Sequence, residues 1–248
     1  MSLGFLSRGY RLLKATRNWY DILLFELNLK KNVVAHFRNG VKILYTPPLF
    51  NLEQFIDKPY RCLNVRGKDV VDIGAFNGDS AIYFSLNGAR KIYAFEPYPF
   101  AFNTAVENIR LNKLYNIEIY NEAVGGEDGY VFLDESYRSH SKSMLRDARA
   151  GRKVTVNSLC SLVRRFNLKD AALKIDCEGC EYQAVSNSDG ATLNAFSEII
   201  LEYHYRGYKD IAQKLKSEGF QTKLLDTHGS PTSQPNPRLG VLYANKPH

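Results

Sequence analysis

Three carboxylates fall within six residues of this chain, in the run Asp176-Cys177-Glu178-Gly179-Cys180-Glu181. The apolar residues before it read as a buried strand, Ala172–Asp176, so the acids emerge where that strand opens at the edge of a sheet. Carboxylates this close repel one another, and partial burial adds to the effect, so at least one pKa is raised, as proton transfer requires. Asp176 and Glu178 are the catalytic candidates, while Glu178 or Glu181 can instead cap the helix that follows. A second run, Leu201-Glu202-Tyr203-His204-Tyr205, ends another strand and by alternation puts Glu202 and His204 on one face. An imidazole there titrates near neutrality and is a candidate general base for a hydroxyl nucleophile. Asp176, Glu178 and His204 are equally a candidate ligand set for a divalent metal. Cys177 and Cys180 have metal-like spacing without a second cysteine pair, and read as buried, inert thiols.

Upstream, the stretch DVVDIGAFNGD (Asp69–Asp79) reads as a buried strand, a turn with Gly74 and Gly78, and the start of a helix. Gly74 allows a sharp turn, Gly78 allows a backbone to approach a ligand, and the unpaired amides of the helix's first turn face that ligand. A pyrophosphate binder shows G-x-G-x-x-G and leaves the strand end free of negative charge. Here Asp72 stands near the strand end, in D-x-G-x-x-x-G-D, which suits a ligand with a cationic or amino-acid end such as S-adenosylmethionine (SAM) better than NAD. Glu96 ends the next strand, 24 residues after Asp72, where an acid can accept from both ribose hydroxyls, and Pro97 stops the strand behind it. The third strand ends in Asn121-Glu122-Ala123, candidates for holding an adenine through a polar side chain and a backbone amide. The cofactor-facing set is therefore Asp72, Gly74, Asn77, Gly78, Glu96, Asn121 and Ala123.

The elements that position these residues alternate. Strands are expected at Asp69–Ile73, Lys91–Phe95, Ile117–Asn121, Ala172–Asp176, Ser197–Tyr203, Gln221–Leu225 and Leu239–Ala244. Helices are expected at Ser80–Leu86, Ala101–Leu111, Ser158–Phe166, Tyr182–Ser186 and Tyr208–Ser217. That pattern predicts an α/β fold, a doubly wound, mainly parallel seven-stranded sheet of Rossmann-like type. An insertion over Gly125–Thr155 begins with a hairpin strand at Gly129–Leu133 and continues into a Ser/Arg-rich run, Ser136–Gly151, that reads as mobile. Residues 1–60 form an appendage to a core domain spanning 61–248: an amphipathic helix over 1–29, a hairpin turning at Asn39-Gly40, and a short helix over Leu49–Asp57. The appendage is expected to cap one side of the site. Its helix reads as a packing helix, with a membrane-surface helix as the alternative.

Composition narrows the class. At 44 % apolar residues the 248-residue chain can build a substantial core, and no apolar run is long enough to span a bilayer. Arg8, Arg11, Lys14 and Arg17 interrupt the N-terminus against a signal peptide, and four cysteines do not make a secreted disulfide framework, so a cytoplasmic location is expected. Between Arg138 and Lys169 there are nine basic residues against Asp147 alone, which covers the whole net charge of +7. Such a segment is either a lid for an anionic partner or a solvated basic face.

The runs VVDIGAFNGDSAIYF, KIYAFEPYP, LKIDCEGCEYQAV and EIILEYH, in that order, resemble the FkbM-type SAM-dependent methyltransferases. The resemblance covers Lys68 to His204, and the IDCEGCE run, similar to the family's I-D-x-E-G-x-E, makes it specific. It implies a class I methyltransferase fold with the last strand antiparallel, and methyl transfer to a hydroxyl oxygen. It also implies Asp72, Gly74 and Gly78 at the methionine end of SAM, Glu96 on the ribose and Asp176 near the methyl group. The acceptor expected is a sugar, glycan or other hydroxylated metabolite, anionic if the basic insertion engages it. An RNA or tRNA methyltransferase is the alternative, motivated by a pI near 9.1. Against it stand the lack of an Asn-Pro-Pro-Tyr-type motif and of a recognisable RNA-binding module. A SAM-binding protein without catalysis is a third reading, and it would need a damaged motif.

Overall fold

The computed structural model describes residues 10–46, 53–56, 58–133, 151–204 and 207–247. Its organising element is the strand β3 (Asp69–Ile73), buried along its whole length, as a strand covered on both faces must be. Around it lie β4 (Lys91–Phe95), β5 (Ile117–Tyr120), β9 (Ala171–Ile175), β10 (Phe196–His204), β11 (Gln221–Leu225) and β12 (Leu239–Asn245). The sheet order is β11-β12-β10-β9-β3-β4-β5. Neighbours pair in parallel, except that β12 runs antiparallel to both β10 and β11. The sevenfold sheet and its reversed last strand match the expectation from sequence, with boundaries shifted by a residue.

Right after β3, α3 (Asp79–Leu86) begins, and β4 leads through Pro97 into α4 (Pro99–Leu111), whose first position is a proline suited to a helix start. β9 leads into α6 (Cys180–Ser186), followed by the short α7 (Gly190–Leu193), and β10 into α8 (Lys209–Ser217). Each of these turns lies at the carboxyl edge of the sheet, where open α/β sheets bind ligands. The insertion forms a second, three-stranded sheet, ordered β6-β8-β7, from β6 (Ala123–Gly125), β7 (Gly129–Leu133) and β8 (Arg152–Ser158). The expected hairpin strand at Gly129–Leu133 is present, pairing antiparallel with β8. Residues 134–150, with the run read as mobile, lie outside the described residues. From β8 the chain enters α5 (Leu159–Phe166), capped by the Ser158 hydroxyl, which accepts from the Ser161 amide.

In the appendage the helical reading of residues 1–29 divides. Helical turns over 10–15 and α1 (Trp19–Glu26) are separated by Thr16, which bridges to Phe37. β1 (Val33–His36) and β2 (Lys42–Tyr45) form the Asn39-Gly40 hairpin, with Gly40 at φ +92°, and α2 (Glu53–Ile56) is the described part of the short helix. The hairpin docks on α4: Asn108 Oδ1 accepts from the Leu44 amide at 2.6 Å and Asn112 Oδ1 from the Lys42 amide at 2.9 Å. Ile22, Ile43 and Tyr45 join Val70, Ile82 and Ile92 in one apolar cluster, so the appendage shares the core of the sheet.

Candidate active site

The glycine turn after β3 is built more tightly than its sequence suggests. Gly74 has φ +76°, and a Cβ there would sit 1.8 Å from the Asp176 carbonyl oxygen, so the turns after β3 and β9 touch through a glycine. Gly78 has φ +83°, and a Cβ there would meet the Ala105 Cβ of α4 at 3.1 Å, so the glycine also lets the turn pack closely against that helix. Phe76 between them also has a left-handed φ, +49°. A non-glycine residue held there is strain kept at a site that the surroundings fix. The amides opening α3 are satisfied from within: Asn77 Oδ1 accepts from Asp79, and Asp79 Oδ1 from Ser80. At Asp79 and Ser80 this corrects the expectation of unpaired first-turn amides, and the cause is the acceptor side chains at positions 77 and 79.

Asp72 is also placed differently from expectation. Its side chain is fully buried under the turn, 3.0 Å from the Lys174 ammonium, and accepts the Ser80 hydroxyl at 2.6 Å. Lys174 is itself 2 % exposed, donates to the carbonyls of Gly74 at 2.7 Å and Ile73 at 3.2 Å, and stands over the Tyr60 ring, 5.5 Å from its centre. One ammonium thus donates to two carbonyls of the glycine turn, pinning it from below, and forms an ion pair with Asp72 Oδ1, which has no hydrogen-bond partner among the described residues. Burial alone would lower the Lys174 pKa, but Asp72 and Asp176 outweigh it and hold the amine above its ordinary value. Asp72 therefore neutralises Lys174 and is no exposed counter-charge for a cationic ligand.

Glu96 stands at the end of β4 as expected, with Oε2 accepting from the Phe76 amide and Oε1 from the Tyr98 amide, both at 2.9 Å. Burial pushes its carboxyl up to about 7, against the pull of those two amides. Asn121 donates to the carbonyls of Glu96 and Pro97, both at 2.9 Å, and accepts from Arg152. Its side chain fixes the turn that carries Glu96. Ala123 is buried in β6, opposite Val156 of β8, which ties it to the second sheet. Glu122 accepts from Asn157 and from Arg165, whose guanidinium lies 4.4 Å from the Tyr120 ring centre. So part of the basic segment is folded against the β5 corner.

The cradle fits the nucleoside end of SAM on two observations. A carboxylate offers about four lone-pair directions, and the protein fills two of them at Glu96. The amide nitrogen Asn77 Nδ2 is buried with no hydrogen-bond partner among the described residues.

The acidic side of the site joins β9 and β10, whose parallel register sets Leu201 beside Ile175. Asp176, one residue beyond β9, accepts from the buried Tyr60 hydroxyl at 2.9 Å, a partner supplied by the segment before the core that no sequence signal marked. Glu202 and His204 share a face, as alternation requires, with Nε2 3.3 Å from Glu202 Oε1 and 3.8 Å from Glu178 Oε1. His204 Nδ1 lies 3.2 Å from Oε1 of the fully buried Glu181, whose Oε2 accepts from the Gly179 amide at 2.8 Å. Glu181 is thus the acid that caps its helix. Burial works against a charge on His204, but Glu181 and Glu202 outweigh it and push the imidazole up to about 11. Held so, it is a cation bracing three carboxylates, which corrects the reading of a free general base. Burial raises the Glu178 carboxyl, with His204 opposing the shift. The metal reading changes membership: Asp176, Glu202 and His204 bring ligating atoms within 4.8 Å of one another, and Glu178 is outside that group.

Cys177 and Cys180, expected as free thiols, are joined in a disulfide. Left-handed Glu178 (φ +58°) and Gly179 (φ +129°) fold the turn back so that the two Cα atoms lie 5.5 Å apart.

Comparison with known proteins agrees with this architecture. No curated protein matches the sequence. Among solved structures, SMU.776, described as a methyltransferase and solved with S-adenosylhomocysteine, aligns over 87 % of this chain and 56 % of its own at 11 % identity, TM-score 0.51. M. jannaschii TYW2 with AdoMet aligns over 87 % and 86 % at 14 % identity, TM-score 0.49. An FkbM methyltransferase from Methylobacillus flagellatus aligns over 72 % of this chain at 14 % identity, TM-score 0.48, and this chain spans 43 % of that one. The sequence matches the Methyltransferase FkbM domain over residues 72–222, from the buried acid of β3 to the start of β11. The chain belongs to the FkbM methyltransferase domain family and is a SAM-dependent methyltransferase of the class I fold.

Proposed function

We propose that this enzyme methylates a hydroxyl oxygen on a sugar, glycan or similar hydroxylated small molecule. The observation that carries the proposal is the convergence of Asp176, Glu178 and Glu202 around His204, beside the glycine turn that Gly74 joins to Asp176. Ionised carboxylates only accept hydrogen bonds, so such a mouth orients O–H donors and repels the phosphates of a nucleic acid.

In this reading Glu96 and Asn77 hold the nucleoside end of the cofactor, and Lys174 and Asn121 keep the two turns that present them rigid. When bound, SAM would supply an electrophilic methyl group for transfer to the acceptor oxygen, the electron pair of the broken carbon–sulfur bond remaining on sulfur. Asp176, fixed by Tyr60, orients the acceptor oxygen in line with that group. The hydroxyl proton passes to Glu178, which at 28 % exposure stands on the open side of the cluster and can hand it to water.

The basic segment favours an anionic acceptor, since Arg152 of the insertion and Arg165 of α5 lie at the β5 corner. It also motivates a second reading, methylation of RNA. A screen with methyl-labelled SAM against neutral sugars, phosphosugars and tRNA separates the two. An alkali-stable methyl ether on a sugar is the expected product. Label in tRNA alone would overturn the reading, and SAM binding without transfer to any acceptor class would favour a non-catalytic protein.

A further inference from the structure

Asp176, Glu202 and His204 each contribute one ligating atom to a group no more than 4.8 Å across. They arrive from two neighbouring parallel strands, Asp176 just beyond β9 and the others at the end of β10. A hard cation held at about 2.1 Å from each donor separates adjacent donors by roughly 3 Å and opposite ones by roughly 4.2 Å, so only a small closure is needed. A second layer separates this group from a chance gathering of acids. His204 Nδ1 is fixed by Glu181, itself fully buried and anchored on the Gly179 amide. Asp176 Oδ2 is fixed by the buried Tyr60 hydroxyl. A carboxylate behind the second ring nitrogen, with a hydrogen bond behind the ligating acid, is how proteins set metal ligands.

We propose that Asp176, Glu202 and His204 bind a divalent cation of the magnesium or manganese class at the acceptor side of the site. Two carboxylates and one imidazole are oxygen-rich ligands, and the nearby cysteines are joined to each other, so no thiolate competes for a softer metal. Three protein ligands leave positions for water and for oxygens of the acceptor. Resting on the methyl-transfer reading above, the role is to draw in an acceptor hydroxyl and lower its pKa, so that its proton leaves more readily for Glu178.

The test uses the full chain with Mn²⁺ alone, without cofactor or acceptor, so its failure leaves the methyl-transfer reading standing, and a failed acceptor screen leaves the metal result standing. Titration followed by the electron paramagnetic resonance of free Mn²⁺ is expected to show one site per chain. Asp176→Asn and Glu202→Gln, each checked for folding by circular dichroism, are expected to weaken it at least tenfold. Pulsed spectra of the wild-type complex are expected to show coupling to one imidazole nitrogen, altered by ¹⁵N-histidine labelling and absent in His204→Gln. These spectra decide the matter if the carboxylate variants fail to fold. No Mn²⁺ binding at millimolar concentration, unchanged affinity in folded variants, or a bound ion without nitrogen coupling would overturn the proposal.

Discussion

Replacing Lys174 by Met should cost this protein stability and loosen its cofactor turn together. The ammonium is 2 % exposed, donates to the carbonyls of Gly74 and Ile73 at 2.7 and 3.2 Å, and pairs with the Asp72 charge at 3.0 Å. Methionine matches the stem in volume, so little of the loss comes from packing. What remains is a fully buried carboxylate left with one hydrogen bond, from Ser80. Breaking a buried pair from one side costs about 3–5 kcal/mol. For a chain of this size that corresponds to a fall in Tm of roughly 6–20 °C. The double variant Asp72→Asn with Lys174→Met removes the orphaned charge while keeping an acceptor for Ser80, and should recover about half of the loss. Urea unfolding of the four proteins in the cycle measures this, provided the m-values agree. Calorimetric titration with SAM should show weaker binding in both Met variants, because the Gly74 carbonyl loses its anchor. A single-variant cost below about 1 kcal/mol, or a double variant no more stable than Lys174→Met, would refute the role given to the pair.

Two further outcomes follow from the same contacts. Glu96 carries a folded pKa near 7 against 4.5 for the free group, so the folded state holds its proton more tightly. Its contribution to stability is present below pH 4.5 and is lost as pH rises to about 7, by up to ~3 kcal/mol. SAM affinity should move the opposite way, rising with pH through that window as the carboxylate becomes an acceptor for ribose hydroxyls. Matched profiles of wild type and Glu96→Gln test both, and parallel curves would remove Glu96 from either role. Gly74→Ala should be far more damaging than Gly179→Ala, although both glycines have positive φ. The first added Cβ meets a backbone oxygen at 1.8 Å, while the second meets nothing within 4 Å and carries only backbone strain of about 1–3 kcal/mol. Equal Tm losses in the two variants would show that the contact between the turns does not matter.

The sheet was legible because each strand carries its own signal. β3 and β9 read as short apolar runs closed by an acid and a glycine, and the Asn39-Gly40 turn set the hairpin register. Helix starts moved by one or two residues, to Asp79 and Pro99, the second a proline whose fixed φ suits a first helical position. The site was legible only in position. Asp72, Glu96, Asp176 and His204 lie at the strand ends where they were sought, but their partners are remote in sequence. Lys174 is 102 positions from Asp72 and Tyr60 is 116 from Asp176, distances that only strand order closes. One signal was available. A lysine inside an apolar strand must find an acid at its own depth, and register places Lys174 opposite Asp72. Nothing comparable announces Tyr60.

These pairings change the electrostatic account of the site. A cationic cofactor beside a line of strand-end acids suggests attraction by unbalanced negative charge. The structure balances most of that charge internally: Asp72 against Lys174, and Glu181 and Glu202 against His204. Glu96 is held near neutrality by burial. In the proposed reading the groups that act on ligands are then few and specific: the remaining lone pairs of Glu96, the Asn77 Nδ2 that has no partner among the described residues, and the open faces of Asp176 and Glu178. Selection of the cofactor over a dinucleotide rests on hydrogen-bond geometry at rigid turns more than on net field. A Lys174→Met variant with Asp72 intact exposes the difference. If net field governed affinity, uncovering the Asp72 charge would tighten SAM binding; if turn geometry governs it, binding weakens although the local charge has become more negative.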